Sequence, residues 1–213
     1  MNHRLFKILN ELGLHYAGLL QVGASEGQEI EAFAHAGIRW AVMVEPLDGP
    51  FAALSAAAAT RPGFIPVQAL CASREGVTFD FHVASNGGQS SSLLAPKRVL
   101  EEYPKVRFSE TLTLTSTTAD RVLEQAEAAH PQVSAAELDI LYIDTQGAEL
   151  RVMMGASRVL QHVRYIWTEV SYDLYEGGAS LEEMQGFLQP FGFRLNNLYV
   201  NAHGWGDALF IRR

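Results

Sequence analysis

Apolar residues recur along this chain in two rhythms, and the two alternate. Phe6, Leu5, Leu9 and Leu12 fall at helical spacing, predicting a short amphipathic helix over residues 3–13 that closes near Gly13. Residues 17–22, 39–44 and 65–70 are short apolar runs of the kind that form buried strands. Between them, 26–36 carries Ile30, Phe33 and Ala34 on one face and ends at Gly37, and 48–60 stops before Pro62; both read as helices. In the middle of the chain, 77–83 and 110–117 alternate like half-exposed strands, 86–92 is a polar loop, and 119–129 is helical up to Pro131.

The first rhythm then resumes. A strand over 138–144 is followed by a helix over about 148–161, a strand over 163–170, and a helix marked by Leu181, Met184, Phe187 and Leu188 that stops at Pro190. Residues 191–200 and 208–211 read as closing strands, expected to form an antiparallel pair. Strands alternating with helices at this pitch predict an α/β three-layer sandwich with a mostly parallel sheet. The expected organisation is a helix over 1–15 packed on one domain over 16–213. Ligands of such sheets bind beyond the carboxyl ends of the strands.

Composition narrows the partners. The chain has 213 residues, 48% apolar and 19% charged, which suits a globular domain with a substantial core. Its net charge of −8 and lack of a basic run argue against nucleic acid as the main partner. Cys71 is the single cysteine, so an intrachain disulfide and a cysteine-based zinc site are excluded, and its apolar strand suits an inert thiol. No run approaches the roughly 20 apolar residues of a membrane span. The start of the chain lacks a signal-peptide core, so a cytoplasmic location is expected.

Two strand ends carry the candidate chemistry. Val22-Gly23-Ala24-Ser25-Glu26-Gly27 is a glycine turn after the first strand, and Glu45 ends the second. Glycines let backbone approach a ligand closely, and an acid ending the next strand accepts both hydroxyls of a ribose. The turn lacks the G-x-G-x-x-G spacing of a dinucleotide site, because Ser25 occupies the middle position. Glu26 at its mouth would repel a diphosphate. S-adenosylmethionine has no phosphate but has an ammonium and a sulfonium, and suits this acid-rich turn better. A ligand-free strand–helix turn and a surface acid remain the plain alternatives for these two features.

At this point the sequence resembles the FkbM-type S-adenosylmethionine-dependent methyltransferases. The matching segments are Val22 to Gly27, Val44-Glu45-Pro46, Ile143-Asp144-Thr145-Gln146-Gly147-Ala148-Glu149 and Thr168-Glu169-Val170. Ser85-Asn86 with Ser90-Ser91-Ser92, and Gly204 to Ala208, add to the set, which spans about residues 17–212. The resemblance implies a Rossmann-like class I methyltransferase fold and O-methylation, often of a sugar hydroxyl in a glycan or natural product. By position it implies that Gly23, Ala24, Ser25 and Gly27 hold the methionine part of the cofactor. Glu45 with Pro46 would bind the ribose, Leu70, Cys71 and Ala72 would border the adenine, and Asp144 would sit at the transfer site. Many relatives have Asp at the position of Gln21 and Glu at that of Gln146. Gln21 can hydrogen-bond a cofactor amine without bringing charge, and Gln146 weakens any scheme with three carboxylates on one metal.

A sugar hydroxyl is a poor nucleophile and needs a base or a metal to take its proton. Asp144 is the first candidate, with Glu169 and Glu149 behind it, and a divalent ion held by oxygens at Asp144 and Glu169 is a possible accompaniment. Each also has a structural reading: Asp144 as a helix cap, Glu149 as a helix N-terminal acid, Glu169 as the partner of Arg151 or Arg164. Asn86, Ser91, Ser92 and His203 are candidate acceptor contacts, and Tyr172, Tyr175 and Trp205 candidate stacking rings, against default readings as polar turn, surface histidine and packed aromatics. The expected acceptor is a small molecule or glycan. The rivals are a nicotinamide oxidoreductase and a non-catalytic module of the same fold.

Overall fold

The structure, a computed structural model, describes residues 3–213. In chain order the first half comprises α1 (Arg4–Glu11), β1 (Gly18–Val22), α2 (Ile30–His35), β2 (Trp40–Glu45), α3 (Asp48–Ala58), β3 (Phe64–Gln68), β4 (Leu70–Cys71) and β5 (Thr78–Ala84). The second half comprises α4 (Val99–Glu102), β6 (Phe108–Thr117), α5 (Ala119–Ala129), β7 (Leu138–Ile143), α6 (Glu149–Met154), α7 (Val159–His162), β8 (Tyr165–Ser171), α8 (Leu181–Leu188), β9 (Phe193–Val200) and β10 (Trp205–Arg212).

Seven strands form one sheet in the order β3-β2-β1-β7-β8-β10-β9. The first five are parallel; β10 runs antiparallel to both β8 and β9, so the expected closing pair is present. Every residue of β1 and β2 is buried, because helices cover both faces, and such strands are mostly apolar, with Gln21 and Glu45 the polar exceptions. Successive side chains point to opposite faces. Thus Leu20, Val22, Val42, Val44 and Ile143 join the core beneath α5 to α8. Leu19, Ala41, Met43, Ile140 and Tyr142 join the one beneath α1, α2 and α3. These two cores and the sheet between them are the three expected layers. The first two residues of the expected 1–15 segment lie outside the described residues; Leu5, Phe6 and Leu9 of α1 are buried in the second core.

One feature lies beyond the sequence reading and two depart from it. The two alternating stretches do not join the main sheet: β5 pairs antiparallel with β6, and β6 pairs with β4, in a separate three-stranded sheet with its own core around Phe81, Leu93, Val99 and Tyr175. The helix expected from Glu26 starts only at Ile30, because Ser25 and Gly27 both have positive φ and hold the chain in a turn. The helix expected over 148–161 is broken into α6 and α7 at Gly155, where a side chain would meet the carbonyl oxygen of Ala72 at 2.2 Å. Asp120 of α5 then accepts the amides of Arg158 and Val159 and caps α7.

Candidate active site

The order of the main sheet reverses at β1, whose neighbours β2 and β7 lead away in opposite directions, and a crevice opens where such a sheet switches direction. A cleft of about 390 Å³ lies there, within the roughly 300–1,000 Å³ of small-molecule sites. One wall comes from the turn after β1: Val22, Gly23, Ser25, Gln28 and Glu29. Glu45, Pro46, Leu70 and Cys71 form the next, Asp144, Gln146 and Glu169 the floor, and Phe81, Gly88, Gln89, Ser91 and Leu93 the far side. Tyr103 and Trp205 close the mouth, the indole N–H donating to the Tyr103 hydroxyl.

The turn after β1 is held against two strands at once. The amides of Gly23 and Ala24 both donate to the carbonyl of Val44 at 2.9 Å, and the Asp144 amide donates to Val22. The Ser25 amide donates to Glu45 Oε2 at 3.0 Å, and the Gly27 amide to Ala24. The amides of Gly23, Ala24, Ser25 and Gly27 are thus committed within the protein and are not a row of free donors of the sort that binds a diphosphate.

Glu45 points from the end of β2 into the turn and is 6% exposed. Its second oxygen accepts the Leu47 amide at 2.9 Å. Burial raises its pKa, and these two amide bonds oppose the rise. Each oxygen keeps acceptor capacity for a further donor such as a ribose hydroxyl. Among the turn residues, Gly23 and Ser25 line the cleft, whereas Ala24 and Gly27 lie behind it; Ala72 is buried beneath Leu70 and Cys71. Burial pushes the Cys71 thiol up to about 12, so it stays protonated.

On the floor, the side-chain amide of Gln146 donates to Asp144 Oδ1 at 2.8 Å and to Glu169 Oε2 at 3.0 Å. Burial is the largest cause raising both acids, Asp144 to about 7 and Glu169 well above its ordinary value, with the charge of Asp144 adding to the rise in Glu169. The two titrate as a pair. Glu149 is not part of this floor. Its Oε1 accepts the amides of Thr145 and Gly147 at 3.0 Å and braces the loop that carries Gln146, whose φ is 56°. Arg164 pairs with Asp139 rather than with Glu169. Among the described residues there is no group of three or more His, Cys, Asp and Glu side chains placed to hold a metal ion.

The polar loop divides between lining and bracing. Ser91 lines the cleft while its hydroxyl accepts the Ala84 amide. Asn86 is tied to Ser90, and fully buried Ser92 accepts the Leu94 amide, so both hold the loop in shape instead of facing the cleft. His203 is exposed on the turn before β10 and faces Glu102 at 3.1 Å, outside the cleft. Tyr175 is buried with its hydroxyl near Ser90 O and Gln146 Oε1, Tyr172 is exposed away from the cleft, and Trp205 lines it.

Residues the sequence reading did not single out include Glu29, Gln28, Tyr103, Phe81 and Leu93. Glu29 carries a legible signal, an acid two residues beyond the glycine turn. Tyr103 carries none, because only the tertiary fold brings it to Trp205.

Residues 21–195 match the methyltransferase FkbM domain, and the chain belongs to that family. Among individual proteins it is similar to the 2-O-methyltransferase NoeI of Sinorhizobium fredii (strain NBRC 101917 / NGR234), with 31% identity over 119 residues. That match covers 53% of this chain and 46% of the relative, so the chain matches about half of its length. The fold is that of S-adenosylmethionine-dependent methyltransferases. Streptococcus pneumoniae Sp1610 in complex with S-adenosyl-L-methionine superposes with a TM-score of 0.51 at 12% identity, covering 100% of this chain and 73% of that one. TrmK of M. capricolum in complex with S-adenosylhomocysteine superposes with a TM-score of 0.53 at 7% identity, covering 100% and 69%. At these identities the likeness speaks for the fold alone. No helix among the described residues is long and apolar enough to cross a membrane.

Proposed function

We propose that this protein transfers a methyl group from S-adenosylmethionine to a hydroxyl of a carbohydrate-like acceptor. The observation that carries the reading is the two-ended cleft. Glu45 stands by the glycine turn at one end, and the Asp144–Gln146–Glu169 cluster at the other. The donor set fits this cofactor: carboxylates and carbonyls suit a cation, and the committed amides do not suit a diphosphate. A side chain on Gly23 would lie 1.7 Å from the Asp144 carbonyl oxygen; this position has to be bare for the turn to sit against β7. When bound, the cofactor supplies a methyl carbon activated by its sulfonium.

The protein's own work is to align the hydroxyl, exclude water and take the proton. The Asp144 carboxylate accepts the proton from the attacking oxygen, while Glu169 beside it accepts a hydrogen bond from Gln146 and completes the floor. Gln146 fixes the spacing of the two. Trp205 and Tyr103 at the mouth offer ring faces to a sugar, and the net charge of −8 suits a neutral or cationic acceptor better than nucleic acid. The name of the S. fredii relative, a 2-O-methyltransferase, supports oxygen as the accepting atom. Calorimetry with S-adenosylhomocysteine, followed by transfer of labelled methyl to a panel of sugars and polyols, tests the proposal. Binding of NAD(H) in preference to S-adenosylhomocysteine would overturn it. Unchanged biological function after Asp144→Asn and Glu169→Gln would favour the non-catalytic reading.

A further inference from the structure

Gln21 lies behind the turn wall without lining the cleft, 1% exposed in the middle of the sheet. Its side-chain nitrogen donates to Glu29 Oε2 at 3.3 Å, and its side-chain oxygen is buried with no hydrogen-bond partner. A buried acceptor left unpaired costs free energy unless something fills it. Glu29 is half-buried, lines the cleft beside Gly23, Ser25 and Gln28, and makes no ion pair among the described residues. A desolvated carboxylate without a cation, next to an orphaned carbonyl oxygen, is a receptor for a group with several N–H donors and a positive charge.

We infer that Glu29, held in place by Gln21, is the carboxylate that binds the α-ammonium of the cofactor's methionine end. The inference rests on the cofactor reading above and adds to it the residue responsible. An ammonium has three donors and no acceptor, so it can satisfy Glu29 at the cleft face, while Gln21 behind it orients the carboxylate. The sequence carries no acid at position 21; the negative charge reaches the same place from the next turn of chain, eight residues on. Burial raises the pKa of Glu29, the Gln21 amide opposing, as expected for an acid waiting for a cation. Position 29 therefore selects ligands that keep a free amine.

The test is calorimetry with two ligands. S-adenosylhomocysteine carries the ammonium; 5′-deoxy-5′-methylthioadenosine lacks the amino-acid end but keeps the nucleoside. Glu29→Gln is expected to weaken S-adenosylhomocysteine by roughly 10- to 100-fold, the usual cost of a lost charged hydrogen bond, and to leave methylthioadenosine unchanged, which also shows that the variant is folded. Combining it with Gln21→Asp, which moves the charge across the same contact, is expected to restore most of the lost affinity. Equal loss for both ligands, or loss for neither, would overturn the assignment of Glu29. A wild-type protein that binds neither ligand would overturn the cofactor reading itself, and the assignment with it.

Discussion

Gly23 and Asp144 meet backbone to backbone at the switch point of the sheet. The glycine has φ of 86°, and any β-carbon there would sit 1.7 Å from the Asp144 carbonyl oxygen. The end of β1 and the end of β7 are thus packed tightly together, adding to the Asp144 amide bond to Val22, and the turn wall is fixed to the floor of the cleft. Gly23→Ala has nowhere to put its methyl, since the neighbouring atom is backbone. The expected loss is at least about 3 kcal/mol of folding stability, read as a lower urea midpoint with unchanged slope.

Glu45 braces the turn, and in the proposed reading it also binds the ribose. Glu45→Ala leaves the Ser25 and Leu47 amides without their acceptor. The expected cost is about 1–3 kcal/mol of stability, with a drop in S-adenosylhomocysteine affinity of roughly tenfold or more. Calorimetry and urea unfolding on the same sample separate the two effects.

Asp144 gives a signed pH dependence. Its pKa is 3.8 in a free chain and about 7 here, so between those values the folded state holds a proton that the unfolded state has lost. Stability contributed by this group therefore falls as pH rises through that window. Asp144→Asn is expected to be more stable than the wild type near pH 8, with the difference fading below about pH 4. Activity runs the opposite way, rising as pH passes about 7, because only the ionised form takes the proton. The substitution is expected to cost roughly 10²- to 10⁴-fold in kcat and to remove this limb of the pH–rate profile.

Trp205 sits at the mouth and touches neither Glu45 nor the glycine turn. Trp205→Ala is expected to raise KM for the acceptor by roughly threefold to tenfold, the worth of one aromatic contact. The affinity for S-adenosylhomocysteine should stay as it was. Loss of cofactor affinity instead would place the indole on the cofactor side of the cleft.

Much of the frame is legible in the sequence because parallel strands buried on both faces read as short, mainly apolar runs. Residues 17–22, 39–44 and 138–144 announce themselves in that way, and their ends place Gly23, Glu45 and Asp144 at one edge. What fails is whatever depends on distant pairing. The alternation over 77–83 and 110–117 marks strands but not which sheet they join. Gly155 marks the break locally, but its reason to be glycine, the carbonyl of Ala72 more than eighty residues earlier, is visible only in the fold. At the site, polar side chains look alike whether they face a ligand or brace a loop. Ser92 and Glu149 brace backbone amides, while Ser91 and Glu169 line the cleft. His203 reads as a candidate on residue type alone, and the fold turns it toward Glu102.

The small sheet of β4, β5 and β6 stands apart from the seven-stranded one, yet the loops and strands around it furnish a whole side of the cleft, from Phe81 to Leu93. The molecule is built like a vice with one jaw bolted to the bench and the other on a separate mount. Exchanging residues 77–117 would leave every hydrogen bond between the seven strands in place, so that side of the cleft can change while the frame carrying Gly23, Glu45 and Asp144 keeps its shape.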